Sequence, residues 1–282
     1  MFHPSEKLLK KTKQIISTAI LIIVSVLVLY PFIWTFFASL KTNPELYANT
    51  WGPPLDPQWS NYEVAWTSGR MGTCFVNSVI VTAAVVGILA IISPMAAYVL
   101  ASYEFRGKKM VFYGLIAGML VAPHVAIVPL YVLLQQLGVI DTYFALILTH
   151  VAWGLPYSTF IARAGFLGIP KSIEESARVD GLSTFQIYRK IMLPLAAPAV
   201  AVALILQAIF VWNDFLFPLI FLRSSDLFTL PLGLVVFRGM YIIRYGPLSA
   251  GVIISSIPLI AFYVFLSDYV KKGISLGGAL KG

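Results

Sequence analysis

Residues 15–38 read IISTAILIIVSVLVLYPFIWTFFA, a long run without a single charged side chain. A helix that crosses the roughly 30 Å hydrocarbon core of a bilayer needs about 20 mainly apolar residues, because its backbone groups must be satisfied within the segment. The run is longer than the apolar part of a cleaved signal peptide, and no A-x-A cleavage site follows it. It therefore predicts a membrane-spanning helix that stays in the protein.

Five more stretches of this kind follow along the chain. Hydrophobic residues make up 59% of the sequence and charged residues only 11%, whereas about a quarter of a soluble domain is charged. The stretches are continuously apolar rather than alternating, which excludes a β-barrel. We expect an all-α, polytopic membrane protein with one transmembrane domain over residues 1–282. The six predicted spans are Ile15–Ala38, Asn77–Ala101, Val111–Leu134, Thr142–Ala162, Leu195–Leu222 and Leu248–Ser267.

Basic residues predict the orientation of these spans. Of the 20 lysines and arginines, fifteen fall on the termini and the alternate loops that lie on their side. Cytoplasmic segments carry such an excess, so both termini, the loop 163–194 and the tail 268–282 are predicted to be cytoplasmic. The net charge of +8 then reports topology and does not indicate nucleic-acid binding. The five basic residues on the outer side are Lys41, Arg70, Arg223, Arg238 and Arg244.

The inner loop has helix signals of its own. Residues 170–194 read PKSIEESARVDGLSTFQIYRKIMLP. Ser172 with Glu175, and Ser183 with Gln186, have the spacing of two capping boxes. Gly181 between them suits the left-handed turn that often ends a helix. We therefore predict two short helices joined by a tight turn, with the second helix ending before Pro194.

These two helices predict a rigid protrusion, which suits docking into a partner protein. Glu174 lies in the first turn, where a carboxylate favours the helix dipole, and it can pair with Arg178 four residues later. A helical hairpin that lies on the membrane surface is the alternative interpretation.

The same loop resembles the EAA loop, E-A-A-x3-G-x9-I-x-L-P, of permease subunits in binding-protein-dependent ABC importers. One position departs from the motif, where serine replaces the first alanine. The Asn77-Ser78 pair that opens the second span and the segment 212–216 agree with the carbohydrate-uptake, maltose-permease branch. The matching residues of the loop are Glu175, Ser176, Ala177, Gly181, Ile191, Leu193 and Pro194.

The resemblance implies a type I importer fold in a bacterial or archaeal cytoplasmic membrane. It implies a second permease subunit, two ATPase subunits that hold ATP and magnesium, an external solute-binding protein and a sugar-like solute. The first helix of the loop would be a coupling helix in a cleft of the ATPase, and the tail could reach the same interface. The predicted coupling residues are Glu174, Glu175, Ser176, Ala177, Asp180, Gly181, Ile191, Leu193 and Pro194.

The chain has no G-x4-G-K-[ST] phosphate loop, so ATP is expected to bind elsewhere. We predict no catalytic residue, no cofactor and no metal ion in this chain, and only lipid, solute and protein partners. A secondary transporter or channel is the first alternative, although acidic residues are scarce in the spans and no inverted repeat is visible. A membrane enzyme is the second, but the three histidines lack the required spacing.

Polar residues inside the spans are candidates for the solute pathway, because each is costly in lipid unless it faces protein or water. Asp214, beside Asn213 and Trp212, places a carboxylate and an amide next to an aromatic ring, as a sugar site requires. A helix–helix hydrogen bond or a cap near the interface is the alternative for Asp214. His124, between two prolines, is a weaker candidate for which an interhelical hydrogen bond is favoured. His150 and Gln207 are of the same kind.

Overall fold

The computed structural model describes residues 4–239 and 243–261, with side chains described from Lys11 onward. The chain is helical over these ranges, and their extended residues pair only in an isolated bridge between Arg238 and Ile243. The all-α class is thereby confirmed. The helices are α1 (Pro4–Ser39), α2 (Asn43–Ala48), α3 (Ser60–Ser68), α4 (Met71–Ser102), α5 (Lys108–Leu120), α6 (Pro123–Gln136), α7 (Tyr143–Leu167), α8 (Lys171–Val179), α9 (Thr184–Asn213), α10 (Leu216–Phe221), α11 (Leu230–Gly233) and α12 (Tyr245–Ala261), with 3-10 turns at Ser225–Leu227 and Leu234–Phe237.

Several of these helices can cross a membrane. α1, α4, α7 and α9 are each long and apolar enough, and the bent pair of α5 and α6 makes a fifth span if it is counted as one. α12 is a shorter apolar helix that covers most of the predicted sixth span. The end of that span, residues 262–267, and the tail 268–282 lie outside the described residues. The protein is therefore a multi-pass membrane protein.

The third predicted span is not one continuous helix. α5 ends at Leu120, α6 begins at Pro123, and their axes differ by 101°. Proline has no amide hydrogen to donate, and it disfavours the helical conformation of the residue before it. Ala122 accordingly has φ −66° and ψ 133°. The pair forms a broken span or a re-entrant element.

The fifth predicted span is also interrupted, at the residue that the sequence singled out. α9 ends at Asn213, and Asp214 leaves the helix with φ −69° and ψ 127°. The Asp214 carboxylate accepts a hydrogen bond from the Leu216 amide at 3.0 Å. A side chain that bonds its neighbouring backbone in this way competes with the helical pattern. The prediction of one helix over 195–222 is therefore wrong.

The described residues form two compact units. The second, within Arg70–Gly233 and Ile257–Gly282, is built on α4, α7 and α9, which pack against one another. Alanines at 97, 145, 162 and 203 on these helices are fully buried. Small side chains let helix backbones approach closely, which supports association in lipid, where the hydrophobic effect gives no drive.

The N-terminal part of α4 is tied to the segment before α11. Asn77 is buried, and its amide donates to the carbonyls of Asp226 at 2.7 Å and Phe228 at 2.9 Å. Its side-chain oxygen accepts from the Tyr143 hydroxyl at 2.7 Å. Ser78 accepts from the Leu230 amide at 2.9 Å. The Asn77-Ser78 pair thus satisfies backbone groups of a connecting segment.

The first unit, within Met1–Gly69 and Leu234–Ser256, contains a buried lysine. Lys41 is only 1% exposed, and its ammonium donates to the carbonyls of Asn49 and Gly52. Asn49 is the C-terminal cap of α2, where a helix dipole favours a cation. Lys41 therefore holds the α2 segment in place instead of forming part of a basic outer surface.

Asp141 joins the loop before α7 to the segment after α10 in the second unit. One carboxylate oxygen accepts from the amides of Arg223 at 2.8 Å and Ser224 at 2.9 Å, and the other accepts from the Ser224 hydroxyl. The hydrogen bond from the Ser224 hydroxyl, followed by those from the two amides, lowers the pKa of Asp141 below its ordinary value. The carboxylate form is thus the form that stabilises this junction.

We predict that Asp141→Asn lowers thermal stability near neutral pH by less than about 1 kcal/mol, because the junction is solvent-accessible. The native pKa lies below the unfolded one, so the stabilisation by Asp141 is present above the unfolded pKa and disappears as pH falls through the native pKa. Thermal unfolding of both proteins in detergent should show midpoints that differ at pH 7 and converge in acid. A pH-independent difference would contradict this role of the carboxylate.

Candidate functional site

The loop helices form the feature that we call the 170–194 hairpin. α8 begins at Lys171, directly after Pro170, and the Ile173 amide donates to the Pro170 carbonyl at 3.2 Å. Ser172 therefore lies within the first turn instead of capping it. The predicted capping box of Ser172 and Glu175 is wrong, because Pro170 is the N-terminal cap, two residues before Ser172.

The turn of the hairpin is a Schellman motif. Gly181 has φ +81°, a conformation that residues with a side chain rarely adopt. The Gly181 amide donates to the Arg178 carbonyl at 3.1 Å, and the Leu182 amide donates to the Ala177 carbonyl at 3.2 Å. These two bonds satisfy carbonyls at the end of α8. The glycine turn predicted from the sequence is confirmed.

The second helix begins with the predicted capping box. The Gln186 amide donates to the Ser183 hydroxyl at 3.4 Å, and the Ser183 amide donates to the Gln186 side chain at 2.9 Å. The helix does not end before Pro194, so that prediction is wrong. A π turn over Tyr188–Met192 bonds the Leu193 amide to the Tyr188 carbonyl. The widened turn accommodates the proline ring, and α9 continues from the hairpin to Asn213.

The buried face of α8 is fixed to α4 by four side chains that we call the Glu174 cluster. Glu174 is buried and accepts from the Tyr98 hydroxyl at 3.0 Å and from the Arg178 guanidinium at 2.7 Å. Tyr103 accepts from Arg178 at 3.0 Å and lies 3.2 Å from the Tyr98 hydroxyl. The predicted pair of Glu174 and Arg178 is confirmed, and two tyrosines complete it.

The Glu174 cluster stabilises the charged form of Arg178. The hydrogen bond to Glu174 raises the pKa of the Arg178 guanidinium above its ordinary value. The Arg178 guanidinium also lies 5.4 Å from the centre of the Tyr103 ring. Because a buried carboxylate needs a paired charge and hydrogen-bond donors, the cluster makes one arrangement of α8 on α4 strongly preferred.

The other predicted coupling residues divide into a buried set and an exposed set. Ala177 is buried in a core with Tyr98, Phe166 and Met192. Ile191 and Leu193 pack against that core and are half-buried. The exposed set consists of Glu175, Ser176, Asp180, Gly181 and Pro194. The hairpin thus has a packed face and an open face.

The predicted pathway residues do not come together. Asp214 lies at the end of α9, with one oxygen 3.3 Å from the His150 imidazole. The neighbouring Asn213 side chain bonds the Ile209 carbonyl at 2.8 Å. Trp212 meets Phe75 edge-to-face, with ring centres 5.9 Å apart. The three side chains therefore contact different partners.

His124 is exposed in the first turn of α6 and does not line the cavity that His150 and Gln207 share. Tyr98 and Tyr103 were not predicted as site residues. Their contacts join residues more than 70 positions apart in the sequence, and no local sequence pattern predicts such contacts.

The comparisons with known proteins agree with this architecture. Residues 92–276 match the family model of the binding-protein-dependent transport system inner membrane component. A probable ABC transporter permease protein of Bacillus subtilis, YurM, is 36% identical, with 90% of this chain and 84% of that protein covered. The diacetylchitobiose uptake system permease protein NgcG of Streptomyces coelicolor is 33% identical, with 93% and 87% covered.

A bacterial ABC transporter that imports the acidic polysaccharide alginate contains a chain of the same fold. It superposes with a TM-score of 0.79 at 23% identity and covers 95% of this chain and 99% of that one. The fold and the 170–194 hairpin define a membrane permease subunit. The chain belongs to the family of binding-protein-dependent transport system inner membrane components, and the resemblance inferred from the loop is confirmed.

We predict that changing Glu174 to glutamine lowers thermal stability, whereas the same change at Glu175 does not. Glu174→Gln removes charge-assisted hydrogen bonds from the Glu174 cluster and should lower stability by about 1–2 kcal/mol. Glu175→Gln changes an exposed side chain and should leave the thermal midpoint within about 0.5 kcal/mol of wild type. Thermal unfolding of the purified subunit in detergent measures both. Equal midpoints for the two variants would contradict the assignment of Glu174 to the packed face.

Proposed function

We propose that this permease subunit forms half of the solute pathway of an ATP-driven importer and is coupled to a separate ATPase through the 170–194 hairpin. The observation that carries the proposal is the division of the hairpin into two faces. The packed face joins α8 to α4 through Glu174. The open face presents the exposed side chains of Glu175, Ser176 and Asp180.

Movement of the ATPase would then reach the spans through rigid contacts. A partner that pushes on α8 would displace the Glu174 cluster, and Tyr98 would carry the displacement into α4. The Gly181 turn joins α8 to the second helix of the hairpin, which is the first part of the membrane-spanning helix α9. One docking event would therefore act on two spans of the second unit.

The proposed topology has six spans with both termini and the 170–194 hairpin in the cytoplasm. The distribution of lysine and arginine supports it. Arg189 and Lys190 in the second helix are exposed, as residues facing an aqueous compartment would be. We place the chain in the cytoplasmic membrane of a bacterium or archaeon, because the family and its named relatives are prokaryotic transport components.

The proposed assembly contains a second permease subunit, two ATPase subunits and an external solute-binding protein. ATP and magnesium would be held by the ATPase subunits, and this chain would perform no catalysis itself. Family membership supports these partners, and the open face of the hairpin offers a place for one of them.

The proposed solute is a sugar or oligosaccharide. The relative from Streptomyces coelicolor is named for the uptake of diacetylchitobiose. The match covers 93% of the chain described here and 87% of that relative. A second six-span partner would supply the other half of the pathway, so this chain would share the recognition of the solute.

We predict that Gly181→Asp reduces ATP-dependent uptake at least about tenfold. No atom lies within 4 Å of the position that a Cβ at Gly181 would occupy, so an added side chain would meet only a docked partner. Uptake by the complete complex in vesicles, together with the amount of ATPase that co-purifies, provides the measurement.

Gly138→Asp is the matched control, because Gly138 also has a positive φ of 69° and the same open surroundings. It lies between α6 and α7, away from the hairpin. Similar uptake by the two variants, whether high or low, would count against docking at Gly181 and attribute any loss to backbone strain.

A further inference from the structure

A cavity of about 470 Å³ opens between α5, α7 and α9 in the second unit. Its volume lies within the roughly 300–1,000 Å³ typical of small-molecule sites. Most of its wall is apolar or aromatic, and two polar side chains interrupt that wall. The residues that carry the argument are Trp153, Tyr157 and Phe210 on the aromatic side, and His150 and Gln207 on the polar side.

Gln207 is the most informative residue of this wall. It is 7% exposed and lies well inside the membrane-spanning helix α9, and its side-chain amide makes no hydrogen bond with a residue in the described ranges. An amide in that position is costly unless it bonds to water or to a ligand. Gly154 makes room for it, because a Cβ there would lie 2.7 Å from the Gln207 side-chain oxygen. The fold thus accommodates an unpaired amide at the cavity wall.

His150 supplies a second buried polar group. Its side chain is 2% exposed, and its Nε2 atom lies 3.3 Å from an Asp214 oxygen that has no hydrogen-bond partner among the described residues. The Phe217 ring packs edge-to-face against the imidazole at 5.4 Å and fixes its position. His150 and Gln207 thus place two buried polar groups in the wall of the same cavity.

This combination suits a neutral polyhydroxylated ring. Aromatic faces pack against the C–H surface of a sugar, and an amide both donates to and accepts from its hydroxyl groups. Within the described part of the chain, the wall contains no lysine, arginine or carboxylate, so these residues offer no charge partner to an ionic solute. We propose that the cavity is a saccharide subsite on this subunit, with Gln207 as a hydroxyl-binding residue and Phe210 and Trp153 as ring-contacting residues.

The proposal rests on the proposed function and adds to it the place where this subunit meets the solute. The test is uptake of radiolabelled neutral di- to tetrasaccharides by the complete complex in vesicles. Gln207→Leu should raise the half-saturating concentration about tenfold, the effect of losing one hydrogen bond. Thr159→Val is its control, since Thr159 is a buried, unpaired hydroxyl on α7 outside the cavity wall.

Phe210→Ala tests the subsite without removing a core side chain, because Phe210 is 53% exposed. It should raise the half-saturating concentration several-fold, whereas Phe160→Ala, which changes a similarly exposed ring of α7 outside the cavity, should not. ATPase co-purification and nucleotide hydrolysis confirm assembly of every variant.

The two proposals fail separately in this experiment. If the wild-type complex takes up none of the saccharides, the proposed solute class is wrong and the subsite falls with it. If the wild type transports them and Phe210→Ala and Gln207→Leu match their controls, the sugar importer stands and the subsite is overturned. The cavity would then be a fissure that faces lipid or the second permease.

Discussion

The buried carboxylate of Glu174 is the interaction on which the rest of the coupling account depends. Burying a carboxylate is favourable only when charge and hydrogen bonds compensate it. Here Arg178 supplies the charge and the Tyr98 hydroxyl supplies a second donor. Because Tyr98 lies on α4 and the other two on α8, the requirement for compensation fixes one element against the other. The open face of the hairpin is therefore presented by a rigid support.

Polar groups also determine where the spans are interrupted. Pro123 ends the helical ladder between α5 and α6, and the Asp214 carboxylate bonds a backbone amide just beyond α9. Non-helical backbone at membrane depth persists only where protein or water satisfies it. At the end of α9 the protein itself meets this requirement, because the Asp214 carboxylate accepts from the Leu216 amide. Interrupted helices and buried polar groups together mark the region where a hydrophilic solute can be accommodated.

The sequence was sufficient for features that depend on local chemistry. Apolar runs predicted the main spans, Gly181 predicted the turn, and the Ser183–Gln186 spacing predicted a capping box that the structure contains. It failed where a proline or carboxylate broke an apolar run, because hydropathy counts residues and does not follow backbone hydrogen bonds. It also could not bring Tyr98 to Glu174 or His150 to Asp214. Those contacts arise from helix packing between distant segments, for which one sequence carries no direct signal.

The most direct test of the coupling account is a photocrosslinking amino acid placed at Val179, which is 87% exposed at the end of α8. The same amino acid at Leu137, an exposed residue between α6 and α7, provides the control. After irradiation of the intact complex in native membranes, we expect an adduct between position 179 and the ATPase subunit and none from position 137. An intact complex that gives no ATPase adduct from position 179, or gives only lipid adducts there, would contradict the claim that the open face of the hairpin docks on the ATPase.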